Sequence, residues 1–180
     1  MDPIAPKPRL ATVWLGGCSG CHMSFLDLDE RLVELAGLVE VLASPLTDFK
    51  EFPPADITLV EGAVANHENL EQIRLVRERT KVLVCFGDCA VTGNVIAMRN
   101  SFSVEDVLAR SYEENATIIL GKPGESGVVP ALLDRVRPVH EVVKVDYFLQ
   151  GCPPSGDEIH AFVTDLLNGR EPRTDGRKFG

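Results

Sequence analysis

The sequence predicts an α/β fold with a doubly wound, mostly parallel sheet. Short apolar runs alternate with segments of helical periodicity along most of the chain, the pattern of strand–helix–strand units. The clearest run, Lys81–Phe86 (KVLVCF), is almost wholly apolar, as expected where helices cover both faces of a sheet. No internal repeat, low-complexity tract or shift in composition marks a second domain.

Arg9–Leu15 (RLATVWL) reads as the first strand and ends at Gly16-Gly17. Met23–Ala36 reads as a helix with Phe25, Leu28, Leu32 and Leu35 on one face, and Gly37 supplies its stop. Leu38–Ala43 is a second strand, followed by a Pro-containing connection; Ile57–Val60 is a third, running into Glu61-Gly62. Asn66 is placed to cap a helix reaching Arg79, whose Leu70, Ile73 and Val76 form an apolar stripe. Lys81–Phe86 follows as the fourth strand. Helices are predicted at Val104–Arg110 and Pro130–Val136, with a Gly- and Pro-rich loop between them. Val142–Leu149 is the last strand, and Ser155 with Glu158 forms a capping box for a final helix. Residues 1–8 then form an arm, 9–168 the domain, and 169–180 a polar tail.

At 180 residues, 44% hydrophobic and 25% charged, the chain has the make-up of a globular domain large enough to bury a core. A net charge of −9 argues against a broad nucleic-acid surface. No apolar run approaches the ~18 residues of a membrane span. The opening MDPIAPKPR lacks an apolar signal core and a twin-arginine pair, so a cytoplasmic location is expected. In that compartment the five cysteines are metal ligands, redox thiols or core residues more often than disulfide partners.

Cys18, Cys89 and Cys152 each fall in a loop just past a predicted strand, and Cys21 follows Cys18 at CxxC spacing. In an open parallel sheet those strand ends share one edge, where ligands bind. Four thiols from three distant loops can therefore converge. Gly16, Gly17, Gly20, Gly87 and Gly151 beside them let backbone approach closely. Four thiolates suit zinc or an iron–sulfur cluster. One CxxC joined by two lone cysteines departs from the paired CxxC knuckles of a zinc ribbon, so the pattern favours iron–sulfur over zinc or a plain redox CxxC. Cys85, inside an apolar strand, reads as a packed core thiol.

The runs Gly17-Cys18-Ser19-Gly20-Cys21-His22-Met23-Ser24, Val60-Glu61-Gly62, Phe86-Gly87-Asp88-Cys89-Ala90 and Gly151-Cys152-Pro153-Pro154-Ser155 resemble the small subunit of nickel–iron hydrogenases. The likeness extends in order from Arg9 to Leu167. LGGCSGCHMSFLDLDE and the shortness of the chain are most similar to the cytoplasmic, NAD-reducing (bidirectional) branch. The resemblance implies a flavodoxin-like domain in which Cys18, Cys21, Cys89 and Cys152 hold a proximal [4Fe–4S] cluster beside the large subunit's nickel–iron (NiFe) centre. Cys85 has no counterpart in the family motif. No cysteine follows Cys152, so one cluster is expected rather than the three of longer relatives. Electrons would leave through a diaphorase module carrying its own clusters, FMN and the NAD site. The GGCSGC loop, committed to thiols, is not expected to cradle FMN on this chain. A related subunit of respiratory complex I, which has adjacent paired cysteines instead of CxxC, and a zinc-stabilised binding module are the alternatives.

Glu61, ending a strand at the same edge, either lies against the cluster, as hydrogen-bond partner or proton relay, or binds loop N–H groups or faces solvent. Asp88 reads as a turn residue satisfying backbone donors. His22 is expected at the helix start, packing at a subunit interface. Phe25 faces either the core or the large subunit. His67, His140 and His160 lack ligand spacing. Asp27, Asp29, Glu30 and Glu34 read as a solvated helix face, and GKPGESG (Gly121–Gly127) lacks the order of a phosphate loop.

Overall fold

The computed structural model describes residues 6–47, 51–114, 117, 122–123 and 128–172. Five parallel strands form one sheet: β1 (Arg9–Trp14), β2 (Glu40–Ala43), β3 (Ala55–Glu61), β5 (Thr80–Phe86) and β7 (Tyr147–Leu149), in the order β2-β1-β3-β5-β7. Taken as parallel strands alone, this is the flavodoxin-like order, with its topological switch between β1 and β3. Side chains alternate across each strand and feed two cores. Leu10, Leu59, Val84, Phe86 and Leu149 pack on one face with Ile159, Phe162 and Val163 of α6 (Gly156–Leu167). Val13, Val60, Leu83 and Cys85 pack on the other with Ile73 and Val76 of α3 (His67–Arg79). Coverage of both faces explains the unbroken apolar strands.

The predicted caps form as expected. Asn66 Oδ1 accepts from Asn69 N at 2.8 Å, and Ser155 and Glu158 complete a capping box. The helix predicted over Met23–Ala36 is instead two, α1 (Gly20–Leu26) and α2 (Glu30–Leu38), broken where Asp29 takes a positive φ of 51°. Gly37 lies within α2 and does not end it. The break drives Leu28 into the core and lets the start of α6 sit against α1, where an added Cβ on Gly156 would lie 3.3 Å from Asp27 O. Asp27, Asp29, Glu30 and Glu34 are exposed, as a solvated face requires.

The segment expected as a helix at Pro130–Val136 forms a strand, β6 (Leu132–Arg137), paired antiparallel with the unpredicted β4 (Val64–Asn66). Non-local pairing overrides local pattern here. Arg99 ties the two by donating to Ala65 O at 2.9 Å and Leu133 O at 2.7 Å. Arg99 lies in a 3₁₀ stretch (Asn94–Ser101) that follows α4 (Asp88–Thr92). The helix predicted at Val104–Arg110 is α5 (Val104–Ala109), extended by a π turn through Glu114. Parts of the predicted arm and tail, and most of Gly121–Gly127, fall outside the described residues.

The last strand is shorter than Val142–Leu149 because Asp146 stands in for a strand neighbour. Its carboxylate accepts from Leu83 N at 2.8 Å and from Arg77 Nη1 at 2.7 Å, while Asp146 N donates to Leu83 O at 2.9 Å. Burial alone would raise the Asp146 carboxyl; the Leu83 N–H and the Arg77 guanidinium outweigh it and hold it below its ordinary value. A lowered carboxyl stabilises the fold above the unfolded value, about 3.9, and loses that contribution as pH falls through the folded value. Asp146→Asn should therefore cost about 1–2 kcal/mol at neutral pH. Its deficit against wild type should shrink below about pH 4, measured as urea midpoints at the two pH values.

Candidate metal centre

All four candidate thiols lie at the C-terminal edge of the sheet, on three loops. Cys18 follows β1 and Cys21 opens α1; Cys89 opens α4 after β5; Cys152 lies between β7 and α6. Cys21 is buried at 7% exposure, Cys89 is half-buried, and Cys18 and Cys152 face solvent.

The loops are fastened to one another through backbone atoms. Gly16 and Ala63 exchange hydrogen bonds at 2.9 and 2.7 Å, joining the Cys18 loop to the end of β3. Gly62, between them, has φ 90° and no room for a side chain, since a Cβ would lie 2.8 Å from Gly16 O. Gly87 N donates to Leu149 O at 2.7 Å and Asp88 N to Gly151 O at 2.9 Å, while Asp88 Oδ1 accepts from Gly151 N at 2.7 Å. Asp88 thus satisfies backbone donors, as expected of it, and binds the Cys89 loop to the Cys152 loop. Ser24 Oγ donates to Pro154 O at 2.5 Å, closing the ring of contacts between α1 and the Cys152 loop. Bonds of this kind stabilise by about 1 kcal/mol each, and together they leave the loops little freedom.

Glu61 sits beneath this ring. Ser19, at φ 64°, makes no side-chain cap for α1; Glu61 caps it from β3, accepting from Cys21 N at 3.3 Å and His22 N at 3.0 Å. Trp14, Glu61 and Phe86 stand in register across three strands, and the buried His22 ring packs over that row. Its centroid lies 5.5 Å from Trp14 and 6.0 Å from Phe86, and its Nδ1 bonds Glu61 Oε2. His22 was expected at a subunit interface; at 3% exposure it is instead part of this chain's own interior. Of the readings of Glu61, the binding of loop N–H groups is what the structure displays, directly under Cys21. His67 opens α3 with its N–H on Ala131 O, and the His140 ring lies 5.8 Å from that of Phe148. Phe25 packs against the core.

The thiols feel one another. Burial pushes the Cys21 thiol up first, followed by the Glu61 charge and the Cys89, Cys18 and Cys152 thiols. Cys89 is raised by burial and then by Cys152 and Cys18. Four sulfurs at one sheet edge make a donor set suited to a cationic inorganic core, which holds coordinated thiols deprotonated. The loops also require glycine at position 87, where φ is 85° and a Cβ would fall on Cys21 Sγ. Cys85 stands apart in the core, its Sγ 3.6 Å from Ala90 O and its thiol pushed up to about 12 by burial alone. Among the described residues, no three His, Cys, Asp or Glu side chains are grouped as ligands of a single metal ion.

Two features escaped the sequence reading. One is Glu61 as a cap, which no local pattern reveals because the helix it caps begins 41 positions earlier at Gly20. The other is Asn94, whose Nδ2 lies 3.4 Å from Cys152 Sγ; the Gly93-Asn94 pair, suited to left-handed backbone, is the signal that could have found it.

A flavodoxin-like domain with cysteines gathered on its ligand-binding edge defines the class, and comparison with known proteins sharpens it. Residues 18–166 match the family described as NADH ubiquinone oxidoreductase, 20 Kd subunit, and the chain belongs to that family. Within it, the chain is 47% identical to the delta subunit of the NAD-reducing hydrogenase HoxS of Cupriavidus necator, over 94% of this chain and 86% of that protein. A chain in the crystal structure of an NAD+-reducing [NiFe]-hydrogenase in the H2-reduced state superposes with a TM-score of 0.92 at 44% identity, covering 97% of this chain and 99% of that one. It is therefore a small subunit of the NAD-reducing nickel–iron hydrogenase type. A [NiFeSe]-hydrogenase of Dm. baculatum shares the fold alone, with a TM-score of 0.60 at 17% identity over 92% of this chain and 65% of that one.

Glu61→Ala leaves two buried N–H groups and the His22 ring without their acceptor. A loss of about 3 kcal/mol or more is expected, read from chemical denaturation.

Proposed function

We propose that this chain is the electron-transfer subunit of an NAD-reducing hydrogenase, holding one [4Fe–4S] cluster on Cys18, Cys21, Cys89 and Cys152. The observation that carries the proposal is the placement of four thiols, on three loops fastened to one another through their backbones, at one sheet edge. In this reading the chain docks on a large subunit with a NiFe centre and on a diaphorase module that supplies FMN and the NAD site. It works in the cytoplasm and carries no catalytic centre of its own. Among the described residues no helix is long and apolar enough to cross a membrane.

When bound, such a cluster accepts and releases single electrons. The chain's residues do the rest. Cys21 anchors the buried side, and Cys18 and Cys152 form the side open to partners. Gly20 N donates to Cys18 Sγ at 3.4 Å, holding that sulfur against the start of α1. Glu61 and Asp88 fix the loops from below and from the side, so that the sulfurs keep their places whether or not an extra electron is present. Met23, two residues after Cys21, and Val95, next to the Asn94 that reaches Cys152, lie exposed, apolar surface that suits a docked subunit.

Iron and acid-labile sulfide analysis with low-temperature EPR on the reduced protein tests the proposal. Cys18→Ala, Cys21→Ala, Cys89→Ala and Cys152→Ala should each abolish the intact [4Fe–4S] signal, and Cys85→Ala should preserve it. Zinc without sulfide in the wild type, or loss of signal in the Cys85 variant alone, would contradict it.

A further inference from the structure

The helix that carries Cys89 ends at Thr92, and the chain then turns through two left-handed residues, Gly93 at φ 83° and Asn94 at φ 38°. Asparagine is one of the few side-chain-bearing residues that enters this region readily. The turn is held in place. Thr92 Oγ1 donates to Asp88 O at 2.9 Å and accepts from Asn94 N at 3.2 Å, and a Cβ on Gly93 would lie 2.9 Å from Ala97 Cβ. The result aims the Asn94 amide away from its own helix, at Cys152 Sγ on the neighbouring loop, 3.4 Å away.

We propose, resting on the reading that these thiols hold a [4Fe–4S] cluster, that Asn94 is a positioning residue whose amide donates to Cys152 Sγ and raises the cluster's reduction potential. The physical reason is charge. The reduced form carries one more negative charge than the oxidised form, spread partly onto the sulfurs, and an N–H donor stabilises it more. Glu61, lying beside Cys21, acts in the opposite sense. The chain's net charge of −9 makes a neutral donor the gentler counterweight, because it adds no charge for a partner to meet.

The test uses the full-length chain, purified anaerobically, loaded with ferrous iron and sulfide, and followed by EPR at poised potentials. Asn94→Gly keeps the left-handed backbone and removes the amide. Asn94→Asp keeps the size and replaces the donor with a carboxylate. Both should shift the midpoint to lower potential at unchanged iron and sulfide content, the Asp variant further. An Asn94→Gly protein with a full cluster and an unaltered midpoint overturns the inference and leaves the cluster reading standing. A wild-type chain that takes up no sulfide and gives no signal overturns the cluster reading, and the inference with it.

Discussion

The structure depends on one constraint: three loops leaving the same edge of a parallel sheet must be joined through their backbones before their side chains can share a point in space. Parallel strands align those edges, but alignment alone leaves the loops free to splay. The Gly16–Ala63 exchange, the Asp88–Gly151 pair and the Ser24 hydroxyl on Pro154 O remove that freedom. Each contact involves a main-chain atom, so the ring of loops is defined by backbone geometry, with the cysteines projecting from a frame that the fold already holds.

Glu61 shows how such a frame serves two ends. A carboxylate at 2% exposure in a sheet edge would be costly to bury alone. Here it accepts from the first N–H groups of α1 and from the His22 ring, so the anion sits where a helix start favours it. The helix start is thereby pinned to β3, and Cys21 with it. A residue can thus determine where a cysteine stands by holding its backbone alone.

Much of this was legible in the sequence, and the parts that were not share a cause. The strands at Arg9–Leu15 and Lys81–Phe86, the caps at Asn66 and Ser155, the turn role of Asp88 and the core setting of Cys85 all rest on local chemistry, and all stand in the structure. The failures are non-local. The helix expected at Pro130–Val136 is a strand because β4, more than sixty residues away, pairs with it. The helix expected through Asp29 is broken where α6 packs against it. The strand expected from Val142 starts late because the Asp146 side chain occupies Leu83. His22 is buried by a row of residues on three strands, which no window around position 22 contains. The cysteine positions were legible because strand ends are local; the staples between their loops were not.

The two ends of this ring lie far apart along the polypeptide: α1 belongs to its first sixth, while Pro154 comes after the last strand. During synthesis, then, the first CxxC leaves the ribosome long before the loop that completes its surroundings. Contacts of such high sequence separation form late, because closing long segments of chain comes before any reward from packing. A nascent polypeptide can present Cys18 and Cys21 before Cys89, Cys152 and the Pro154 contact exist. Closure of the ring thus waits until the segment after the last strand has docked on α1, so a closed ring reports that the two distant parts of the sheet edge have come together.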